Sequence, residues 1–312
     1  MITFLAMRWW VLVLALVACG KGASGPGEKK VDLDADPIAL LPGFAVVVAT
    51  VDARAIFDSS AVGGQLAALA GKLFPLGENA GFEAQRDVDR IALADYASGG
   101  IDVVAVMSGR FDPDKIAAST TASGGAAIVR GAYAGRATYT AGTIAYVVLT
   151  PKTLVAGTGE GLRRLLDRVQ AGTIDRAIPP WMVETLDTKG AQLAAAADFE
   201  TQPVASAAIE SVNVPWLKGM RTARVIGNFA PPGMNVAATL SYKEPQQAQA
   251  AADGVRSVDG WLRMLGPLLG GMRLQNLDVT TEAQDLHCKF AVDDQTLRSL
   301  LALAPRFLPM AQ

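Results

Sequence analysis

Short apolar runs separated by polar residues and by glycine and proline recur along the chain, the marks of β-strands and turns. Two of these stretches match without a gap. Val88 to Ser108, "VDRIALADYASGGIDVVAVMS", lies against Arg221 to Ser241, "RTARVIGNFAPPGMNVAATLS". Leu93 meets Ile226, Asp95 meets Asn228, Gly100 meets Gly233, and Val103 meets Val236. Each stretch predicts a β-hairpin: an apolar strand, a Gly/Pro turn and a second apolar strand. Each then reaches an acidic residue followed by proline, Asp112-Pro113 and Glu244-Pro245. That pair suits a helix start, where a missing N–H costs nothing and negative charge meets the positive end of the dipole. The second of these helices is the clearer. Ala248, Ala251, Val255, Val258, Leu262 and Leu265 recur at three- and four-residue steps as one stripe, and Gly266-Pro267 ends it.

A second pair of blocks closes the units. Val155 to Leu166, "VAGTGEGLRRLL", aligns with Phe290 to Leu301, "FAVDDQTLRSLL", each the end of a strand running into a helix. A looser match sets Val51-Asp52 beside Ala197-Asp198 at the end of a first strand. The pattern predicts an α+β fold of two tandem copies of one unit: strand, helix, hairpin, helix, further strands, helix. Antiparallel strands would form one continuous sheet or two packed ones, covered by helices. Repeat 1 spans 38–172, a connector 173–189, and repeat 2 190–312.

Composition narrows the setting. Of 312 residues, 51% are hydrophobic and 19% charged, enough for a sizeable core. The net charge is −2 with no basic block, which argues against nucleic acid as a partner. The first residues differ from the rest. One positive charge, Arg8, precedes the apolar run "WWVLVLALV" from Trp9 to Val17. The run is about half of the ~20 residues that cross a bilayer. A short basic segment, a short apolar core and small residues are the layout of an export signal, whether the chain starts at Met1 or Met7.

The end of that run, Leu16-Val17-Ala18-Cys19, resembles the lipobox of bacterial lipoproteins. The resemblance implies a signal peptide over 1–18, cleavage between Ala18 and Cys19, and acyl chains on the sulfur and the new α-amine of Cys19. Several chains together give stable anchoring, at about 0.8 kcal/mol per buried CH₂. The membrane is thus the first expected partner. Gly20 is not the aspartate that favours inner-membrane retention in enteric bacteria, so the resemblance leans to the outer membrane. Residues 19–37, opening with "CGKGASGPGEKK", read as a flexible tether with a reach of roughly 20–25 Å. With Cys19 lipidated, Cys288 has no disulfide partner.

The repeat acts as an internal control on the candidate sites. "GTGEG" (Gly157 to Gly161) invites a phosphate-cradle reading, but its match in repeat 2, "VDDQT", has no glycine and two carboxylates. What the pair shares is an oxygen side chain, Thr158 and Asp293, suited to capping a helix. Glu83, Asp87 and Asp89 in the acidic loop 83–89 could hold a cation, yet Arg86 and Arg90 stand among them and repeat 2 has "RTAR" there. In "DLHCKFAV", strand alternation puts Leu286, Cys288, Phe290 and Val292 on one side and His287, the only histidine, with Lys289 on the other. That separation disfavours a Cys–His catalytic pair. No G-x-S-x-G or S-x-x-K motif occurs.

The sequence therefore predicts no enzyme, no cofactor, no metal and no catalytic residue. It predicts a membrane-anchored envelope lipoprotein with a non-catalytic binding or scaffolding role toward an envelope protein. The alternative is a carrier of a lipid or other apolar ligand in a pocket or cleft between the repeats, which "WLRMLGPLLGGM" (Trp261 to Met272) could help line. An envelope hydrolase with a nonstandard site comes third. The globular part resembles uncharacterised lipoproteins and no family of known activity.

Overall fold

The computed structural model describes residues 32–59, 62–96, 102–202, 217–230, 233–266 and 271–303. The export signal, Ala18 and Cys19 lie outside them, as does the tether up to 31. The described chain forms one antiparallel sheet of 12 strands in the order β11-β12-β10-β9-β8-β1-β2-β3-β7-β6-β5-β4. Repeat 1 supplies β1 (Val47–Asp52), the hairpin β2 (Val88–Asp95) and β3 (Val103–Gly109), then β4 (Val129–Tyr133), β5 (Arg136–Ala141), β6 (Ile144–Thr150) and β7 (Thr153–Gly157). Repeat 2 supplies β8 (Leu193–Asp198), the hairpin β9 (Met220–Ala230) and β10 (Gly233–Tyr242), then β11 (Leu274–Glu282) and β12 (Asp285–Asp293).

The two copies join back to back through their first strands, and the joint is two-fold symmetric. Val47 pairs with Ala197, and Leu193 pairs with Val51. The Asp52 N–H donates to Gln192 O at 2.8 Å, and the Asp198 N–H to Val46 O at 2.8 Å. Both bonds follow from placing Asp52 and Asp198 at equivalent positions. Outward from the joint the strands succeed one another in the same order, β1-β2-β3-β7-β6 on one side and β8-β9-β10-β12-β11 on the other. The hairpin β4–β5 has no counterpart among the described strands of repeat 2.

One part of the alignment shifts. The pairing of Ala94 with Val48 and of Ile226 with Ala194 makes Ala94, not Leu93, the structural equivalent of Ile226. The second hairpin strand keeps the sequence alignment, because Asp95 pairs with Val103 and Gly227 with Val236. The hairpin connection in repeat 2 thus carries one more residue.

Helices begin where the cap chemistry places them. In α5 (Pro113–Ala118) the Asp112 carboxylate accepts from the Lys115 N–H at 3.1 Å. In α8 (Pro245–Leu265) Glu244 and Gln247 form a capping box. The α8 stripe departs from the sequence reading at one position. Ala248, Ala251 and Ala252 are fully buried, whereas Val258 turns outward and Asp259 is buried beside Arg263.

Two boundaries also move. Leu33 packs on the core, and the Asp34 carboxylate accepts from the hydroxyls of Thr150 and Thr153 at 2.5 and 2.6 Å, so the end of the expected tether is part of the fold. The connector contains α7 (Pro180–Leu186), whose Met182 is fully buried in the main core. Polar composition hid the first, and the two prolines at 179–180 hid the second: Pro180 takes the first helical turn rather than breaking a helix.

Candidate functional site

The sheet has a front and a back. In repeat 1 both are covered. The front carries Val48, Ala94, Val104, Val147 and Val155, buried under α1 (Pro37–Leu40), α6 (Gly159–Ala171) and α7. The back carries Val88, Met107, Tyr146 and Leu154, buried under Phe57, Leu76, Phe82, Phe111 and Ile116. These last belong to α2 (Ala53–Phe57), to α5 and to the loops around the short helix α4 (Ala84–Asp87). In repeat 2 the front is covered only at its first strand, where Ala194 and Ala196 of β8 are buried with Met182 and Leu186 of α7 and Ile226 of β9 packs against them; the back is covered along its length among the described residues. There α8 packs on Ala223, Leu240 and Leu286. There too α9 (Asp294–Leu303) sets Leu297 against Phe290, Met234 and the Val62–Leu66 region, where α3 (Gly63–Leu73) begins.

The matched helices α6 and α9 therefore lie on opposite sides. Their caps agree with the sequence: the Thr158 hydroxyl accepts from the Gly161 N–H at 3.2 Å, and Asp293 accepts from the Thr296 N–H at 2.8 Å. The register beneath them differs. Thr158 donates its N–H to Val103 O, whereas Asp293 pairs with Gly233, the match of Gly100. The cap thus falls opposite position 103 in one copy and opposite the equivalent of 100 in the other. Three is odd, and an odd slip exchanges the two faces of a strand. Val155 looks to the front, and its match Phe290 to the back.

That slip leaves the front of repeat 2 beyond α7 without a helix of its own, and its side chains form mixed rows, largely polar, running across four strands. One row is Arg224, Thr239, His287 and Thr280; the next is Ile226, Ala237, Lys289 and Asp278. Asn228 and Asn235 follow, the Asn235 Nδ2 donating to Asn228 Oδ1 at 3.3 Å. Thr239 Oγ1 lies 3.2 Å from His287 Nδ1. The Arg224 guanidinium sits 5.1 Å from the Trp181 ring centre, tying the face to α7. Lys289 is exposed and stands directly across from Asp278. Two adjoining hollows of ≈ 370 and ≈ 250 Å³ run along this face below the 184–191 segment. A third, of ≈ 810 Å³, lies at the joint of the repeats and includes Asp52, Arg90, Arg176 and Asp187.

The sequence candidates fall into place around this face. His287 lies on it and Cys288 on the other side, 5% exposed, with burial and the Asp278 charge pushing its thiol above the ordinary value. Adjacent strand positions separate the two groups as alternation requires. The acidic loop is internally paired. Burial opposes the Asp87 carboxylate, but the Arg86 guanidinium at 2.6 Å and the Glu83 N–H at 2.8 Å hold it below the usual range. Asp89 pairs with Arg54 at 2.6 Å rather than with Arg90, the partner nearest in sequence. Trp261 and Met264 are 59% and 62% exposed on the outer side of α8, away from any hollow described here. Sequence reasoning missed Arg224, Asn228, Asn235 and Thr239. Their signal was a partial alternation, Thr222, Arg224 and Asn228 in β9 and Asn235, Thr239 and Ser241 in β10, broken by Ile226 and Ala237.

No helix of the described residues is long and apolar enough to cross a membrane. No group of three or more metal-ligating side chains is found among them. No protein-family model matches the chain, and no curated protein matches it. Solved structures do. Crystal form III of TP0453 is 11% identical with a TM-score of 0.52 over 87% of this chain and 100% of that one. Crystal form I is 12% identical with a TM-score of 0.51 over 86% and 97%. At such identity the likeness shows the fold: α+β, with a large antiparallel sheet and a layout compatible with tandem units.

Proposed function

We propose that this protein is a lipid-anchored component of the bacterial cell envelope that binds an envelope protein through the open front face of its second repeat, beyond α7, without catalysis. The observation that carries the reading is the asymmetry of the sheet. The front of repeat 1 is buried and apolar, and the same front in repeat 2 is open beyond α7 and set with Arg224, Lys289, His287, Asn228 and Asn235. A polar sheet face with paired charges and small side chains suits a partner that supplies its own hydrogen bonds. The lipobox-like Leu16 to Cys19 supports the anchor. The outer membrane is the leaflet-bearing membrane we favour, on Gly20 alone.

Two measurements test this. Intact mass should give a mature chain that starts at an acylated Cys19; a free or uncleaved N-terminus would remove the anchor. Cross-linking in envelope fractions should then recover a defined protein, with recovery lost in the double variant Arg224→Glu, Lys289→Glu. Unchanged recovery would move the site off this face. Carriage of a lipid in the joint between repeats is the second reading, favoured by the ≈ 810 Å³ hollow, although Asp52, Arg90, Arg176 and Asp187 make its wall charged. Co-purified lipid in native mass spectra is its readout.

A further inference from the structure

The two ends of the sheet are guarded unequally. At the β11 end the strand is interrupted between Gln275 and Asp278, with Asn276 in the left-handed region at φ 53°. Asp278 and Glu282 add charge there, and Arg256 of α8 donates to Val279 O at 2.9 Å. Bulges, charges and covering side chains are the usual protections of an edge. At the other end, β4 has only one of them, the charge of Arg130. Its sequence, "VRGAY", holds no proline or bulge and one charge, and all five residues are exposed.

The direction of its free groups follows from the turn. Tyr133 and Arg136 pair across Ala134 and Gly135, whose φ angles of 50° and 71° make a two-residue turn of the mirror-image type. The pair that closes such a turn exchanges both backbone bonds, and the pattern alternates along the ladder. Val129, Gly131 and Tyr133 therefore bond inward to β5. Arg130 and Ala132 turn N–H and C=O outward. The next outward N–H, that of Ile128, is already given to Thr120 O at 2.9 Å, so the free stretch runs over five residues centred on Gly131.

We propose that β4 pairs antiparallel with β4 of a second copy, about a two-fold axis through Gly131, joining two sheets edge to edge. In this register Arg130 meets Ala132 of the other copy, and the four outward groups of each chain are all used. Val129 meets Tyr133, an aromatic and β-branched pair of the kind that stabilises cross-strand contacts. Glycine meets glycine at the axis, where non-bonded pairs approach most closely. The two arginines avoid facing each other. A slip by one residue in either direction sets the outward groups of one copy against residues bonded inward in the other and loses the matched bonds. The hairpin that provides this edge is the one part of repeat 1 with no counterpart among the described strands of repeat 2.

The test is self-association of the full chain in detergent, by sedimentation. A dimer is expected, and Ala132→Pro should raise its dissociation constant at least about tenfold, because proline deletes one outward donor in each copy; edge strands tolerate it there. Gly131→Cys provides a separate readout. The axis brings its two copies to about 4.5 Å, within disulfide reach, so mild oxidation should yield a covalent dimer. Gln170→Cys, exposed on α6, should not. A wild-type chain that stays monomeric to about 0.1 mM overturns the proposal. So does Ala132→Pro associating as tightly as wild type, or Gly131→Cys cross-linking no better than Gln170→Cys. A different protein captured along β4 by a monomeric wild type also overturns it.

Discussion

Repeat 1 and repeat 2 share strand order, hairpin, caps and a closing helix, yet one is a three-layer structure and the other a two-layer one. The difference comes from where the last helix begins along its strand. In repeat 1, α6 starts opposite Val103 and buries Leu162, Leu165 and Leu166 on the front. In repeat 2, α9 starts beside Gly233 and lands on the back. Side chains follow. Front positions in repeat 1 carry Val104, Val147 and Val155; those on β9 to β12 of repeat 2 include Arg224, Asn228, Asn235, Thr239, His287 and Lys289 beside Ile226 and Ala237. A change of register, with nearly the same helix sequence, converted an interior face into a surface.

The largest expected effect contrasts the two fronts directly. Leu165→Ala should destabilise by ~2–5 kcal/mol, the range for emptying a buried leucine site. Thr239→Ala, on the same face of repeat 2, removes a half-buried hydroxyl bonded to His287 and should cost about 1 kcal/mol or less. Urea unfolding of both variants checks this, and a large loss at Thr239 would mean that the second front is covered after all.

Next come the caps. Thr158→Ala and Asp293→Ala should each cost about 1 kcal/mol. They should separate with pH. Burial raises the Asp293 pKa, but bonds from Thr296, Arg273 and Gln275 hold it below the ordinary value in the fold. Stability from this carboxylate is then fully present above the unfolded-state pKa and is lost as pH falls through the lowered folded value. The difference between wild type and Asp293→Ala should therefore shrink in acid, while that for Thr158→Ala stays constant. Equal pH responses would sink the assignment.

The smallest effects concern chemistry rather than stability. Cys288 sits behind β12 with a raised thiol pKa, so a thiol reagent near neutral pH should label it only on unfolding. Rapid labelling of the native chain would place it on the open side with His287. Lys289→Glu, in turn, should leave the urea midpoint unchanged while weakening recovery of the proposed partner, which separates the face's binding role from its folding.

Much of this was legible in the chain. Asp52 and Asp198 were paired by a two-residue match, and each donates its N–H across the joint, to Gln192 O and Val46 O respectively. Thr158 and Asp293 were identified as caps from a motif that resembled a phosphate loop. His287 and Cys288 were separated by alternation alone. Less was legible in β9, where the extra hairpin residue shifted the true equivalence from Leu93 to Ala94. The α8 stripe was legible except at Val258, which is exposed, while Val255, Leu262 and Leu265 are half-buried.

Sequence by itself determined what is local or periodic: which segments are strands, where helices start, which neighbours share a side, and that one unit occurs twice. Tertiary structure alone decided how those units meet. The pairing of β1 with β8, the odd slip beneath α9 and the open edge of β4 depend on backbone groups that every residue carries alike. Hydrogen bonds between such groups do not discriminate among registers; burial of whole faces does, and that is settled only when both repeats and their helices are packed together.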